Sequence, residues 1–180
     1  MKKFLLLLLT CSCLTTLGQK FTVEKSLITF FSDAAIEDIS AKNTKANSIF
    51  DLETGEIAFS IPIKEFKFAK SLMQEHFNEK YMESDKFKSA TFEGMITGYD
   101  AKSTGQQAAK AIGKMTIHGV TKEIEVPGTI EISKDKALVK SKFNVKLEDY
   151  SIARPQILWQ NIAEAVEVSV DFTFKPYEKK

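Results

Sequence analysis

Apolar and polar residues alternate along much of the C-terminal half of the chain. From Ala137 to Leu147, mostly apolar residues occupy every second position, and lysines are prominent among the residues between them. Successive side chains of a β-strand point to opposite faces, so this pattern indicates a strand with one buried face and one solvated face. The same alternation occurs from Val166 to Phe174, from Ile124 to Ile132 and from Ile57 to Ile63.

Shorter apolar segments add further strands and bring the expected number to about eight. They lie at 27–31, 46–50, 90–99 and 108–117, with a short strand near Phe21. Turn sequences such as Glu53-Thr54-Gly55 and Ser133-Lys134-Asp135-Lys136 join neighbouring strands. Because each strand has one apolar face, the strands must close as a barrel or pack as a sandwich. The pattern therefore predicts an all-β, antiparallel protein.

One segment departs from the strand pattern. Ser71-Leu72-Met73-Gln74 has the sequence of a capping box, and Met73, Phe77 and Tyr81 follow one another at a spacing of four. This spacing is typical of an amphipathic helix, which we expect at about 71–84. In a barrel, the apolar stripe of such a helix would cover an open end or a side seam.

The first residues resemble an export signal. A charged start, a short leucine run and Thr16-Leu17-Gly18 have the order of a secretory signal peptide. We predict a signal peptide at 1–18 and a single domain at 19–180, either periplasmic in a Gram-negative source or secreted. Cys11 leaves open a lipid-anchored form, although cleavage after Gly18 fits the sequence better. Cleavage there would remove both cysteines and leave a domain without disulfides or zinc–thiolate sites.

Charge and hydropathy exclude several classes of partner. The chain has 25 basic and 24 acidic residues, so no strongly basic domain is available for nucleic acid. After the leader, no apolar run approaches the roughly 20 residues of a transmembrane helix. We therefore predict no transmembrane segment in the mature chain.

Neither of the two histidines is predicted to be catalytic. His118-Gly119 lies between two predicted strands, where a two-residue turn needs positive φ, which Gly adopts freely and His tolerates. His76 and Glu79 could supply two metal ligands from one helix face, with Glu75 or Glu83 as others. A solvated helix face or a cap at the barrel rim is the simpler hypothesis for His76. The chain also lacks a nucleophile elbow, a phosphate loop and a dinucleotide fingerprint, so we expect no enzyme and no cofactor.

Several segments resemble one family. The hairpin from Gly113 to Lys122, with Val126-Pro127 beyond it, is similar to the signature hairpin of YceI-like proteins. Ala90-Thr91-Phe92 after the predicted helix and Asp149-Tyr150-x-Ile152 before the last strand resemble further parts of that family. The resemblance covers nearly all of the chain after the leader. It implies an exported lipocalin-like barrel of about eight strands that binds a long-chain lipid such as a polyisoprenoid.

The resemblance also implies where the lipid would bind. The interior of an eight-stranded barrel is either filled by side chains or able to hold one small ligand. The predicted ligand contacts are the inward residues of the strands and the apolar stripe of the helix. They are Phe59, Ile61, Met73, Phe77, Tyr81, Phe92, Ile96, Met115, Ile117, Ile130, Phe143, Val145, Val168, Val170 and Phe172.

Two questions stay open at the level of sequence. Gly94, Gly98, Gly113 and Gly128 either leave room for a lipid tail or bend strands at barrel corners. Trp159, in a loop after Arg154-Pro155, either covers the edge of the core or lines a ligand entrance. The candidate partners are a long-chain lipid or isoprenoid and a second copy of the chain in a homodimer. The alternative function is a structural or protein-interaction module with a solidly packed barrel and no cargo.

Overall fold

A computed structural model describes residues 20–33, 38–153 and 163–177. These residues form one antiparallel sheet in the order β10-β9-β8-β7-β6-β4-β3-β1-β2-β5, and pairing of β10 with β1 closes eight of the strands into a barrel. The strands are β1 (Lys20–Ser32), β2 (Ile39–Asn43), β3 (Asn47–Asp51), β4 (Glu56–Pro62), β5 (Lys67–Phe68), β6 (Ser89–Thr97), β7 (Gly105–Ile117), β8 (Val120–Ser133), β9 (Lys136–Lys146) and β10 (Ala165–Pro176). The predicted all-β barrel is confirmed.

The two strands expected near Phe21 and at 27–31 are one strand, β1. Phe21 and Ile28 are both buried, although they are an odd number of positions apart. Strict alternation would put them on opposite faces, but the pairing with β10 shifts between Val23 and Lys25. This bulge inserts one residue and returns the later apolar side chains to the interior.

β1 changes its partner along its length. Its first residues pair with β3 and its last residues pair with β2. β3 continues the barrel through β4, whereas β2 pairs with the short β5, so the sheet divides at one end of the barrel. The fully buried Asn43 joins the two branches, because its Nδ2 donates to the Pro62 carbonyl at 2.8 Å and its Oδ1 accepts from Lys45 N at 2.8 Å.

The helix is shorter than expected and changes type. The α-helix α1 spans Ser71–His76 and continues as a π-helical turn over Phe77–Tyr81; these residues together are called the lid helix. The capping-box prediction is wrong. Ser71 is already helical and Lys70 occupies the N-cap position without a side-chain cap. Gln74 Oε1 instead accepts from Phe68 N at 3.4 Å. Short 3₁₀ turns lie at Ile63–Glu65 and Glu148–Tyr150.

Aromatic side chains fill one end of the barrel, which is called the packed end. Phe174 contacts Phe50 and Phe172 with ring centroids 5.5 and 5.7 Å apart. The buried residues of this end include Phe21, Phe50, Phe92, Phe172, Phe174, Ile130 and Ile132. Tyr99 closes it, since its hydroxyl donates to the Leu52 carbonyl at 2.7 Å. Rings at these separations gain pair interactions beyond simple burial.

Candidate functional site

The other end of the barrel, called the hollow end, contains a cavity of about 230 Å³. Its wall consists mainly of residues of β1, β4, β6, β7, β9 and β10 near one end of each strand, with Ile39 of β2 and Phe68 of β5, and the lid helix covers it. Of the described residues that line it, none is Asp, Glu, Lys or Arg. The cavity is therefore an almost wholly apolar space inside the sheet.

Eleven of the fifteen predicted ligand-contact residues line this cavity. They are Phe59, Ile61, Met73, Phe77, Tyr81, Met115, Ile117, Phe143, Val145, Val168 and Val170. The structure places the other four, Phe92, Ile96, Ile130 and Phe172, in the packed end, each at most 4% exposed. Alternation identifies which residues face inward, but it carries no information about their height along the barrel axis.

Phe59 forms the floor of the cavity. Its ring stacks on Phe92, with centroids 5.2 Å apart and planes inclined by 19°, and it contacts Phe172 at 5.4 Å. The same ring borders the cavity on its other side. Phe59 therefore marks the boundary between the packed end and the hollow end.

Four phenylalanines cover the cavity, and they are called the aromatic roof. Phe77 of the lid helix stacks on Phe30 of β1 at 5.4 Å and contacts Phe66 and Phe68 at 5.5 and 5.0 Å. Phe30 also contacts Phe66 and Phe68, each at 5.6 Å. The prediction included Phe77 but missed the other three. The Phe66-Lys67-Phe68 alternation is their sequence signal, and it is too short to identify a strand.

Among the described residues of the cavity wall, four have polar side chains: Ser32, His76, Tyr81 and Thr91. The Ser32 hydroxyl accepts a hydrogen bond from Ala163 N at 2.9 Å. Within the described ranges, the His76 ring and the Tyr81 hydroxyl have no hydrogen-bond partner. Burial raises the pKa of Tyr81, so its hydroxyl stays protonated at neutral pH and is able to donate.

His118 is a turn residue, as predicted, and it also has a second role. Its φ of 51° and the φ of 77° at Gly119 form the turn between β7 and β8. Its Nε2 lies 2.9 Å from Glu83 Oε2 and its Nδ1 lies 3.3 Å from the Tyr150 carbonyl. Since Glu83 follows the lid helix, His118 ties the end of that helix to the barrel rim.

Two surface ion pairs hold neighbouring segments at this rim. Lys64 pairs with Asp85, and the hydrogen bond from Lys64 lowers the pKa of the Asp85 carboxyl. Lys122 donates to Asp149 at 2.8 Å and lowers the pKa of that carboxyl in the same way. Both pairs are solvated, so each adds little to the stability of the fold.

The glycines mark places where strands approach closely. Gly94 and Gly113 face each other across β6 and β7, and a Cβ on either would lie 2.3 Å from a carbonyl oxygen of the neighbouring strand. A Cβ on Gly128 would lie 2.4 Å from the Lys140 carbonyl. None of these three lines the cavity. Their positions support the interpretation that they shape barrel corners, and not the one that they make room for cargo.

The described residues offer His76 no partners for a metal site. In the described part of the chain, no group of three or more His, Cys, Asp or Glu residues is placed to hold a metal ion. Glu79 and Glu75 are exposed, and Glu83 is bonded to His118. The predictions for Trp159 and for the signal peptide lie outside the described residues.

No described helix is long and apolar enough to cross a membrane. The model of the YceI-like domain family matches residues 20–174. No curated protein sequence matches the chain.

Solved structures with a similar fold share little sequence with the chain. A polyisoprenoid binding domain from Saccharophagus degradans, implicated in plant cell wall breakdown, is 14% identical with a TM-score of 0.75, covering 87% of this chain and 98% of that one. Burkholderia cenocepacia BcnA is 16% identical with a TM-score of 0.69, covering 82% and 95%. The Campylobacter jejuni YCEI protein is 16% identical with a TM-score of 0.57, covering 99% and 100%.

Proposed function

Because the chain belongs to the YceI-like family, we propose that it binds a long-chain apolar lipid, such as a polyisoprenoid, in the hollow end without catalysing a reaction. The observation that carries this proposal is the cavity, whose described wall has no formally charged residue. The Saccharophagus degradans domain of similar fold is described as polyisoprenoid binding, which agrees with an apolar cargo.

The cavity has a size suited to part of a lipid chain. A water molecule needs about 10–15 Å³ of such space, and a methylene group is of similar size. A cavity of about 230 Å³ therefore holds roughly fifteen to twenty such groups. A longer chain would extend through the rim beside the lid helix.

The binding energy would come from the transfer of the chain out of water. Each buried methylene contributes about 0.8 kcal/mol, so a dozen contribute about 10 kcal/mol before the cost of ordering the lipid is subtracted. This is enough for capture without a charged anchor. It would suit carriage, storage or sensing of a lipid in the cell envelope.

Export is part of the proposal. A charged start followed by a leucine run and small residues supports a signal peptide at 1–18 ahead of a single domain at 19–180. The barrel would then work in the periplasm of a Gram-negative cell or outside the cell. Intact mass of the mature protein tests this, because cleavage after Gly18 and lipidation at Cys11 give different masses.

Organic extraction of the protein purified from its own host tests the lipid-binding proposal. We expect a stoichiometric apolar lipid in the extract. A protein that purifies empty and fails to take up added prenyl lipids would contradict the proposal and favour the packed interaction module.

Two alanine-to-leucine substitutions, one inside the cavity and one outside it, test where the lipid binds. Ala90 lines the cavity, whereas Ala58 is exposed on the outer face of the neighbouring strand β4. We expect Ala90→Leu to weaken lipid uptake because it fills cavity space, and Ala58→Leu to leave uptake unchanged. Equal lipid uptake by the two folded variants would mean that the lipid binds outside the cavity.

A further inference from the structure

The lid helix widens where it passes over the cavity. Lys80 lies seven positions after Met73 and three after Phe77. In a continuous α-helix it would therefore share their face, over the cavity. The π-helical turn at Phe77–Tyr81 rotates the later side chains. Tyr81 and Met82 line the cavity, and Lys80 is exposed. π-helical turns are rare in proteins, and those that occur often lie at functional sites.

The widened turn therefore removes a charge from the cavity side, while Tyr81, four positions after Phe77, keeps its hydroxyl-bearing side chain there. Tyr81 joins His76 on the cavity side of the helix, and neither has a hydrogen-bond partner within the described ranges. A polar group that borders an apolar cavity gains from a hydrogen bond, because the apolar wall offers none. A ligand that offers a hydrogen-bonding group beside the lid helix would give either side chain a partner.

The rest of the wall limits which polar group fits. A phosphate or carboxylate inside the cavity would lose its hydration without gaining a counter-charge, because no described wall residue is Lys or Arg. A hydroxyl or a carbonyl would lose much less hydration free energy on entering the cavity. The His76 ring and the Tyr81 hydroxyl are both able to form a hydrogen bond with such a group.

We propose that His76 and Tyr81 bind the polar end of the cargo, and that the cavity selects lipids whose polar group is uncharged, such as a prenol or a prenylated carbonyl compound. This proposal rests on the proposed function, because it assigns the orientation and the chemical class of the same cargo. It makes Tyr81 and His76 specificity-determining residues, whereas the apolar wall provides affinity for the chain.

Three probes of equal chain length test the proposal: geranylgeraniol, the hydrocarbon that lacks its hydroxyl, and its phosphate monoester. Competition against a fluorescent apolar probe gives their affinities for the full chain and for Tyr81→Phe, His76→Phe and Tyr99→Phe. Tyr99→Phe is the matched control, because it removes the same hydroxyl from the packed end.

We expect Tyr81→Phe and His76→Phe each to lower the ratio of alcohol to hydrocarbon affinity by about 2- to 10-fold, as for the loss of one hydrogen bond. Hydrocarbon affinity should not change, and Tyr99→Phe should change neither affinity. The parent protein should bind the phosphate more weakly than the alcohol.

An unchanged ratio in both cavity variants would overturn the proposal while lipid binding itself stands. Phosphate binding as tight as alcohol binding would overturn it as well. If the parent protein binds none of the three probes, the proposed function fails and the orientation of the cargo fails with it.

Discussion

The two ends of the barrel are built from the same strands, but side chains fill one end and leave a cavity in the other. Along β10, Val166, Val168 and Val170 line the cavity, and the next two inward residues, Phe172 and Phe174, fill the packed end. Along β6, Ala90 borders the cavity and Phe92 is buried beneath it. On these two strands, a change from small to large side chains therefore coincides with the boundary between the cavity and the packed end.

This difference predicts unequal losses of stability from one substitution made at both ends. Phe172→Ala should lower the free energy of unfolding by about 3–5 kcal/mol, because it opens a void among packed rings. Phe143→Ala should cost less, at about 1–2 kcal/mol, because that ring already borders the cavity and has fewer contacts to lose. Urea unfolding measures both values. Equal losses would mean that the two ends are packed alike.

The aromatic roof gives the next largest effect, on binding and not on folding. Phe77→Asp should weaken lipid retention at least tenfold, because a carboxylate would stand among apolar rings beside the chain. The barrel should stay folded, since the strands do not depend on this side chain. Leu72→Asp, on the exposed side of the same helix, is the control. Unchanged retention in a folded Phe77→Asp variant would refute the role of the roof.

The attachment of the roof to the rim is tested at His118. His118→Asn keeps a residue that tolerates positive φ but cannot span from Glu83 to the Tyr150 carbonyl. We expect the barrel to lose about 1 kcal/mol, and amide exchange within the lid helix to become faster than in the strands. Exchange rates that rise equally in the packed end would show that His118 supports the whole fold and not the lid.

The last effect belongs to Tyr99, and the part that distinguishes it from the others appears at high pH. Burial raises the pKa of Tyr99 to about 12, and the nearby Asp51 adds to the rise; an unfolded tyrosine titrates near pH 10. The unfolded chain therefore loses this proton first, so stability is complete below about pH 10 and falls between about pH 10 and 12. Tyr99→Phe should remove that part of the pH dependence and cost about 1 kcal/mol at neutral pH. An identical alkaline profile in the variant would mean that Tyr99 does not cause it.

The sequence predicted the barrel well where alternation is uninterrupted. The structure gives β8, β9 and β10 close to their expected bounds, because each has one solvated face. The sequence prediction divided β1 into two strands, because the bulge in β1 reverses the alternation of inward and outward residues. β5 was missed because it has only two residues, and β2 was missed because its buried residues, Ala41 and Asn43, give no strong apolar alternation.

The candidate site was predicted only in part, for a geometric reason. Period-two alternation identifies inward residues but not their height in the barrel, so Phe92 and Phe172 could not be distinguished from Ile61 and Val168. The aromatic roof depends on contacts between Phe30, Phe66 and Phe77, which are far apart in sequence. Tyr81 was predicted from its spacing of four after Phe77, whereas the π-helical turn that leaves Lys80 exposed has no sequence pattern of its own.

Methyl NMR during addition of geranylgeraniol tests most directly whether the hollow end alone holds the lipid. The methyl groups of Ile61, Val166 and Val168 line the cavity, whereas those of Ile96 and Ile130 are buried in the packed end. We predict large shift changes for the first set and none for the second. Equal changes at both ends, or no change at either, would contradict the division of the barrel into a packed end and a lipid-binding end.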